Sequence, residues 1–116
     1  MRSFKCLDDL KQLPVSDPAY PQVKTLIETC IVFEGYRPDA DGWIVLIDEG
    51  DIDQPLKDIW DDWTLLDIPW EGIMRVGDFF HAIFLANNQF GIVFVIPDAP
   101  WIDGELRQVI EDTLDP

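Results

Sequence analysis

A chain of 116 residues, 47% of them hydrophobic, can bury one core but not two, and it is too apolar to be disordered. Its 23 carboxylates against 8 lysines and arginines leave a formal charge of −15. Phosphate backbones and anionic membrane surfaces repel such a chain at long range, which argues against direct nucleic-acid or membrane binding and for a basic partner.

The first residues, Met1-Arg2-Ser3-Phe4-Lys5, carry bases with no apolar run behind them and do not read as a signal peptide. Phe4, Leu7, Leu10 and Leu13 predict a short helix over 4–13, stopped by Pro14. After a Pro-rich loop, Val23, Leu26, Ile27, Cys30 and Ile31 form one apolar stripe at helical period, with Pro21 as the first helical residue and Gly35 as the stop. Trp43 to Ile47 is a continuous apolar run, read as a strand buried on both faces. The acidic loop Asp48–Asp53 follows, and Pro55 opens a short helix with Leu56, Ile59, Trp60 and Trp63 on one face.

Three strands are expected next, over 70–76, 79–86 and 90–96, turning at Gly77-Asp78 and Asn87-Asn88. From Phe79 to Pro97 no side chain is charged. Asn87, Asn88 and Gln89 would sit at mid-bilayer if this run crossed a membrane, so it reads as a hairpin. Asp103 is the expected N-cap of a last helix with Leu106, Val109, Ile110 and Leu114 facing inward. The fold class is therefore α+β: a single domain over 1–116, with an antiparallel sheet of about four strands, two N-terminal helices and one C-terminal helix. Three helical stripes are little cover for two apolar sheet faces, which points to a homodimer or partner surface.

Function is less legible. Cys6 and Cys30 have no Cys-x-x-Cys spacing and read as reduced thiols of a cytoplasmic protein. His81, the only histidine, has no neighbouring group to orient it, so no catalytic residue is assigned. The acidic loop departs from the calcium-loop pattern at Pro55, Leu56 and Asp62, so neither a metal nor another cofactor is assigned. Twelve acids lie between Asp39 and Asp78 against two bases, Lys57 and Arg75. Within that stretch Asp48, Glu49, Asp51, Asp53, Asp58, Asp61 and Asp62, with Trp60 and Trp63, form the expected partner-binding surface: aromatic anchors ringed by carboxylates suit a basic protein.

Two alternatives stand beside that reading. A DNA mimic would need nearly all the excess acids on one face, since about 27 Å of duplex carries about sixteen charges. A small-ligand site or enzyme pocket lined by Trp and Phe is the other. The segments Asp41–Ile47, Trp60-Asp61-Asp62-Trp63-Thr64 and Asn87–Pro97 resemble small acidic orphan proteins carried on mobile elements, such as integron gene cassettes. That resemblance implies a dispensable, accessory role in defence, counter-defence or stress and brings no catalytic residues with it; the acidic surface itself would dock a basic partner as immunity proteins or antitoxins do when they cover a cationic toxin.

Overall fold

The uncharged hairpin is the centre of the sheet. In the computed structural model, which describes residues 1–37, 40–56, 63–86 and 90–114, β4 (Phe79–Ala86) and β5 (Phe90–Pro97) pair antiparallel along their full lengths, from Phe79 opposite Pro97 to Ala86 opposite Phe90. The expected Asn87-Asn88 turn and the helix expected after Pro55 lie at or within residues outside the described set. β3 (Gly72–Val76) pairs antiparallel with β4 through the expected Gly77-Asp78 turn.

The fold is α+β, but the sheet is mixed and has five strands, in the order β1-β2-β5-β4-β3. Two features account for the difference from an antiparallel sheet of four. β2 (Gly42–Leu46) docks beside β5 in parallel, with Gly42 opposite Gly91 and Leu46 opposite Val95. A three-residue strand, β1 (Arg2–Phe4), adds antiparallel to the free edge of β2. Residues expected to open a helix at Phe4 thus pair in the sheet, and helical turns begin only at Leu7. The run Leu7–Gln12 is a 3-10 helix, the form whose period of about three residues matches the Leu7, Leu10, Leu13 spacing.

Gly42 makes the parallel pairing possible. Its φ is +128°, and a Cβ there would lie 1.6 Å from the Gly91 carbonyl oxygen, so only glycine fits.

The second helix, α1 (Ala19–Leu26), begins two residues before Pro21 because Asp17 organises its start: Asp17 Oδ1 accepts the Ala19 N–H at 2.9 Å. Beyond Leu26 the helix widens into π-type turns over Ile27–Phe33, closed by Glu34 N–H donating to the Thr29 carbonyl. α2 (Gly104–Thr113) forms as expected, with Asp103 extended before it and Leu106 and Ile110 buried. Single 3-10 turns lie at Glu49–Asp51 and Leu65–Asp67.

Two cores sandwich the sheet. On one face Val45, Phe80, Phe94 and Ile96 pack with Leu65, Ile102, Leu106 and Ile110. On the other, Phe4, Ile44, Leu46, Phe79 and Val95 pack under Leu10, Val23 and Ile27. The radius of gyration, 13.4 Å, is that of a compact chain this long. Among the described residues no helix is long and apolar enough to cross a membrane.

Candidate functional site

Parallel pairing brings the carboxyl ends of β2 and β5 to one edge of the sheet. Because β4 is antiparallel to β5, and β1 to β2, the starts of β4 and β1 arrive at the same edge. The approach to α1 crosses there as well. The result is an open groove of about 440 Å³, floored by apolar residues including Leu46, Phe79 and Pro97 and rimmed by Asp17, Asp48, Asp78 and Asp98. Among the described residues its one lining cation is Arg2. Crevices beyond the carboxyl ends of parallel strands are favoured ligand positions in open sheets, and here the parallel pair is flanked by antiparallel neighbours on both sides.

The four carboxylates differ in how far they are already satisfied. Asp48 takes a two-point contact from Arg2, with Nε at 3.2 Å and a terminal nitrogen at 2.9 Å. Asp98 receives Arg75 on one side and Arg107, at 2.8 Å, on the other. Both guanidiniums also face the Phe80 ring, at 5.1 and 5.8 Å. Arg107 is locked further by its Nε donating to the Ile102 carbonyl. Asp17 is spent in part on the Ala19 N–H. Asp78 is exposed, and among the described residues neither it nor Asp17 has a cationic partner. The Asp78 carbonyl accepts the Asp98 N–H at 2.9 Å, which holds the two sides of the rim together.

Of the residues expected to bind a partner, Asp48, Glu49, Asp51, Asp53 and Trp63 are described, and among these Asp48 lines the groove. Asp51 is turned inward: it pairs with the Met1 amine at 2.6 Å, and its other oxygen accepts the Asp48 N–H at 2.7 Å. Glu49 and Asp53 are exposed on the loop. Trp63 is half-buried and packs edge-on against Phe84, with ring centroids 6.0 Å apart. Asp58, Trp60, Asp61 and Asp62 lie outside the described residues. Asp17, Asp78 and Asp98 were not singled out from sequence. A usable signal existed: Asp48, Asp78 and Asp98 each adjoin a strand terminus, where strand direction gathers them.

The basic side chains of the described residues are all engaged internally. Besides Arg2, Arg75 and Arg107, Lys11 pairs with Asp8, Lys24 with Glu28 and Arg37 with Asp41, while Lys5 sits over the Trp43 ring at 4.7 Å. A backbone hydrogen bond from Arg37, backed by its guanidinium, holds Asp41 below the usual carboxylate range.

His81 is buried beneath α1 on the same sheet face as Phe79 but does not line the groove. Gln22 Nε2 donates to the Val76 carbonyl, so Gln22 Oε1, 2.7 Å from His81 Nε2, accepts from the ring. Burial pushes its pKa below the ordinary histidine value, so it is neutral at pH 7. Burial, and secondarily Glu34, raises the Cys30 thiol. Among the described residues no three His, Cys, Asp or Glu side chains converge to hold a metal ion. No family model, curated protein or solved structure matches the chain.

Proposed function

We propose that the protein is an acidic interaction module that docks a basic partner protein in the groove at the carboxyl ends of β2 and β5. The observation that carries this reading is the pairing of an apolar floor with a carboxylate rim whose Asp17 and Asp78 lack cations, in a molecule whose described bases are spent on internal pairs. An arginine or lysine has the same two parts: an apolar stem for Leu46 and Phe79, and a charged head for the rim. Arg2 on Asp48 already displays the two-point contact such a head would make. Long-range attraction from the −15 charge speeds encounter with a cationic surface, and the groove supplies orientation. Such docking is how an immunity protein or antitoxin covers a cationic toxin, and it is compatible with the accessory role that the resemblance to mobile-element proteins implies.

The groove volume also lies within the range of small-ligand sites, which favours a small organic cation as the second reading.

Fluorescence anisotropy with a labelled oligoarginine peptide tests the proposal. Binding should weaken with salt, and the Asp17→Asn/Asp78→Asn double variant should weaken it about tenfold at low salt, as expected for the loss of two partly exposed charge pairs. The Glu49→Gln/Asp53→Asn variant changes charge equally outside the groove and should weaken binding less than about twofold. Equal losses from both variants would mean that diffuse charge, not the groove, does the binding. Displacement of the peptide by free arginine would favour the small-cation reading.

A further inference from the structure

The sheet face beneath α1 is only half covered. Over β1, β2 and β5 the helix buries Ile44, Leu46 and Val95, but over β3 and β4 Met74 is 50% exposed and Leu85 41% exposed. Between the end of the helical segment and these strands runs a trough of about 230 Å³. Leu26, Cys30 and Tyr36 form one wall, and Ile83, Leu85 and Val93 are among the strand residues opposite. None of the described residues lining it is charged, although 27% of the chain is. The same wall segment carries Phe33, 84% exposed, and Val32, 57% exposed.

We propose that this face is the contact between two copies of the chain, related by a two-fold axis, with Phe33 of each copy seated in the trough of the other. An isologous contact needs one patch that holds both a cavity and the side chain to fill it, and this patch holds both. The trough is smaller than the roughly 300–1,000 Å³ of small-ligand sites, but it suits a single aromatic anchor. Two reciprocal phenylalanines, each burying about 150–250 Å², supply about a quarter of the roughly 1,200–2,000 Å² of a stable interface, and Met74 and Leu85, exposed on the same sheet face, extend the patch.

An uncharged lining suits a second copy better than the basic partner of the groove. Along the wall segment Lys24 is compensated by Glu28 and Arg37 by Asp41. A cationic protein would therefore find no complementary charge in the trough lining. Glu34, exposed beside Phe33, has no cation among the described residues, and two copies bring two of them together. That local repulsion and the −15 charge of each copy oppose dimerisation, and both are screened by salt. Self-association should therefore strengthen with salt, the reverse of groove binding.

Sedimentation velocity of the full chain under reducing conditions, over a wide concentration range at low and high salt, tests this without any basic partner. A reversible monomer–dimer equilibrium that tightens with salt is expected. Phe33→Asp should weaken it at least about tenfold, as loss of a central aromatic anchor does. Glu34→Gln should tighten it at low salt, and Asp17→Asn/Asp78→Asn should leave its salt-screened affinity unchanged. Circular dichroism would show that each variant is folded. A monomer at every concentration and salt, or a dimer indifferent to Phe33→Asp, overturns the proposal. Neither result bears on whether the groove binds a cation.

Discussion

The groove and the trough share β4 and β5 and have opposite chemistry. At the carboxyl ends of β2 and β5, Asp48 and Asp98 stand on the rim of a charged crevice; at the amino end of β5, Gly91 lines a crevice whose described residues carry no charge. The strand interiors are alike, so the difference comes from what flanks them. Loops leaving the parallel pair in one direction end in aspartates, whereas α1 stops short of covering the sheet at the other. Net charge therefore says little about any one surface of this protein: an acidic molecule can still carry a trough whose described lining is uncharged.

Gly42 is the position where one substitution should collapse both regions, since they share its ladder. Gly42→Ala places a Cβ 1.6 Å from the Gly91 oxygen at a φ of +128°, and the unfolding free energy in urea should fall by about 4 kcal/mol or more. Gly35→Ala, at φ +73° with nothing within 4 Å of the new methyl, should cost only about 1 kcal/mol. Similar small losses from the two would show that the parallel ladder does not bind the regions together.

Asp98→Ala acts on the groove alone. It leaves Arg75 and Arg107 without their carboxylate partner, and stability should fall by about 1–2 kcal/mol once partial exposure is discounted. Oligoarginine binding should weaken while self-association in high salt is unchanged; a matched loss in both would mean that the two sites are coupled.

His81 sits on the trough side. Its folded pKa is lowered, so below about pH 6.5 the unfolded chain takes up a proton that the folded chain refuses. Its contribution is complete above that value and is lost as the pH falls through the folded pKa. Denaturation midpoints should therefore drop from pH 7 towards pH 5, before most carboxylates titrate, and His81→Gln should flatten that drop.

The smallest change is expected from Met74→Gln, which should leave monomer stability within about 0.5 kcal/mol because the side chain is half exposed. It should still weaken the dimer measurably by sedimentation. A clear loss of monomer stability would place Met74 in the core instead.

Much of the architecture could be read locally. The hairpin followed from two apolar runs around a polar turn, β3 from its Gly77-Asp78 connection, and α2 from the spacing of Leu106 and Ile110. β1 could not be read, because three residues, two of them Arg2 and Ser3, carry no periodicity. The parallel partner of β2 was equally hidden: an apolar run such as Trp43–Ile47 declares that it is buried, not which strand lies beside it. Of the groove, Asp48 was anticipated through the density of local acid. Asp17 and Asp78 were not, since each is an ordinary turn residue in its own neighbourhood.

Composition and periodicity were enough to read an acidic chain of α+β class built around an uncharged hairpin. Those properties depend on neighbours in the chain, so they are written locally. Which aspartates share a rim, which bases are consumed by them, and which half of the sheet stays open depend on strand order and direction. Those were set when Gly42 let β2 close against Gly91, a contact between distant segments that no local pattern encodes.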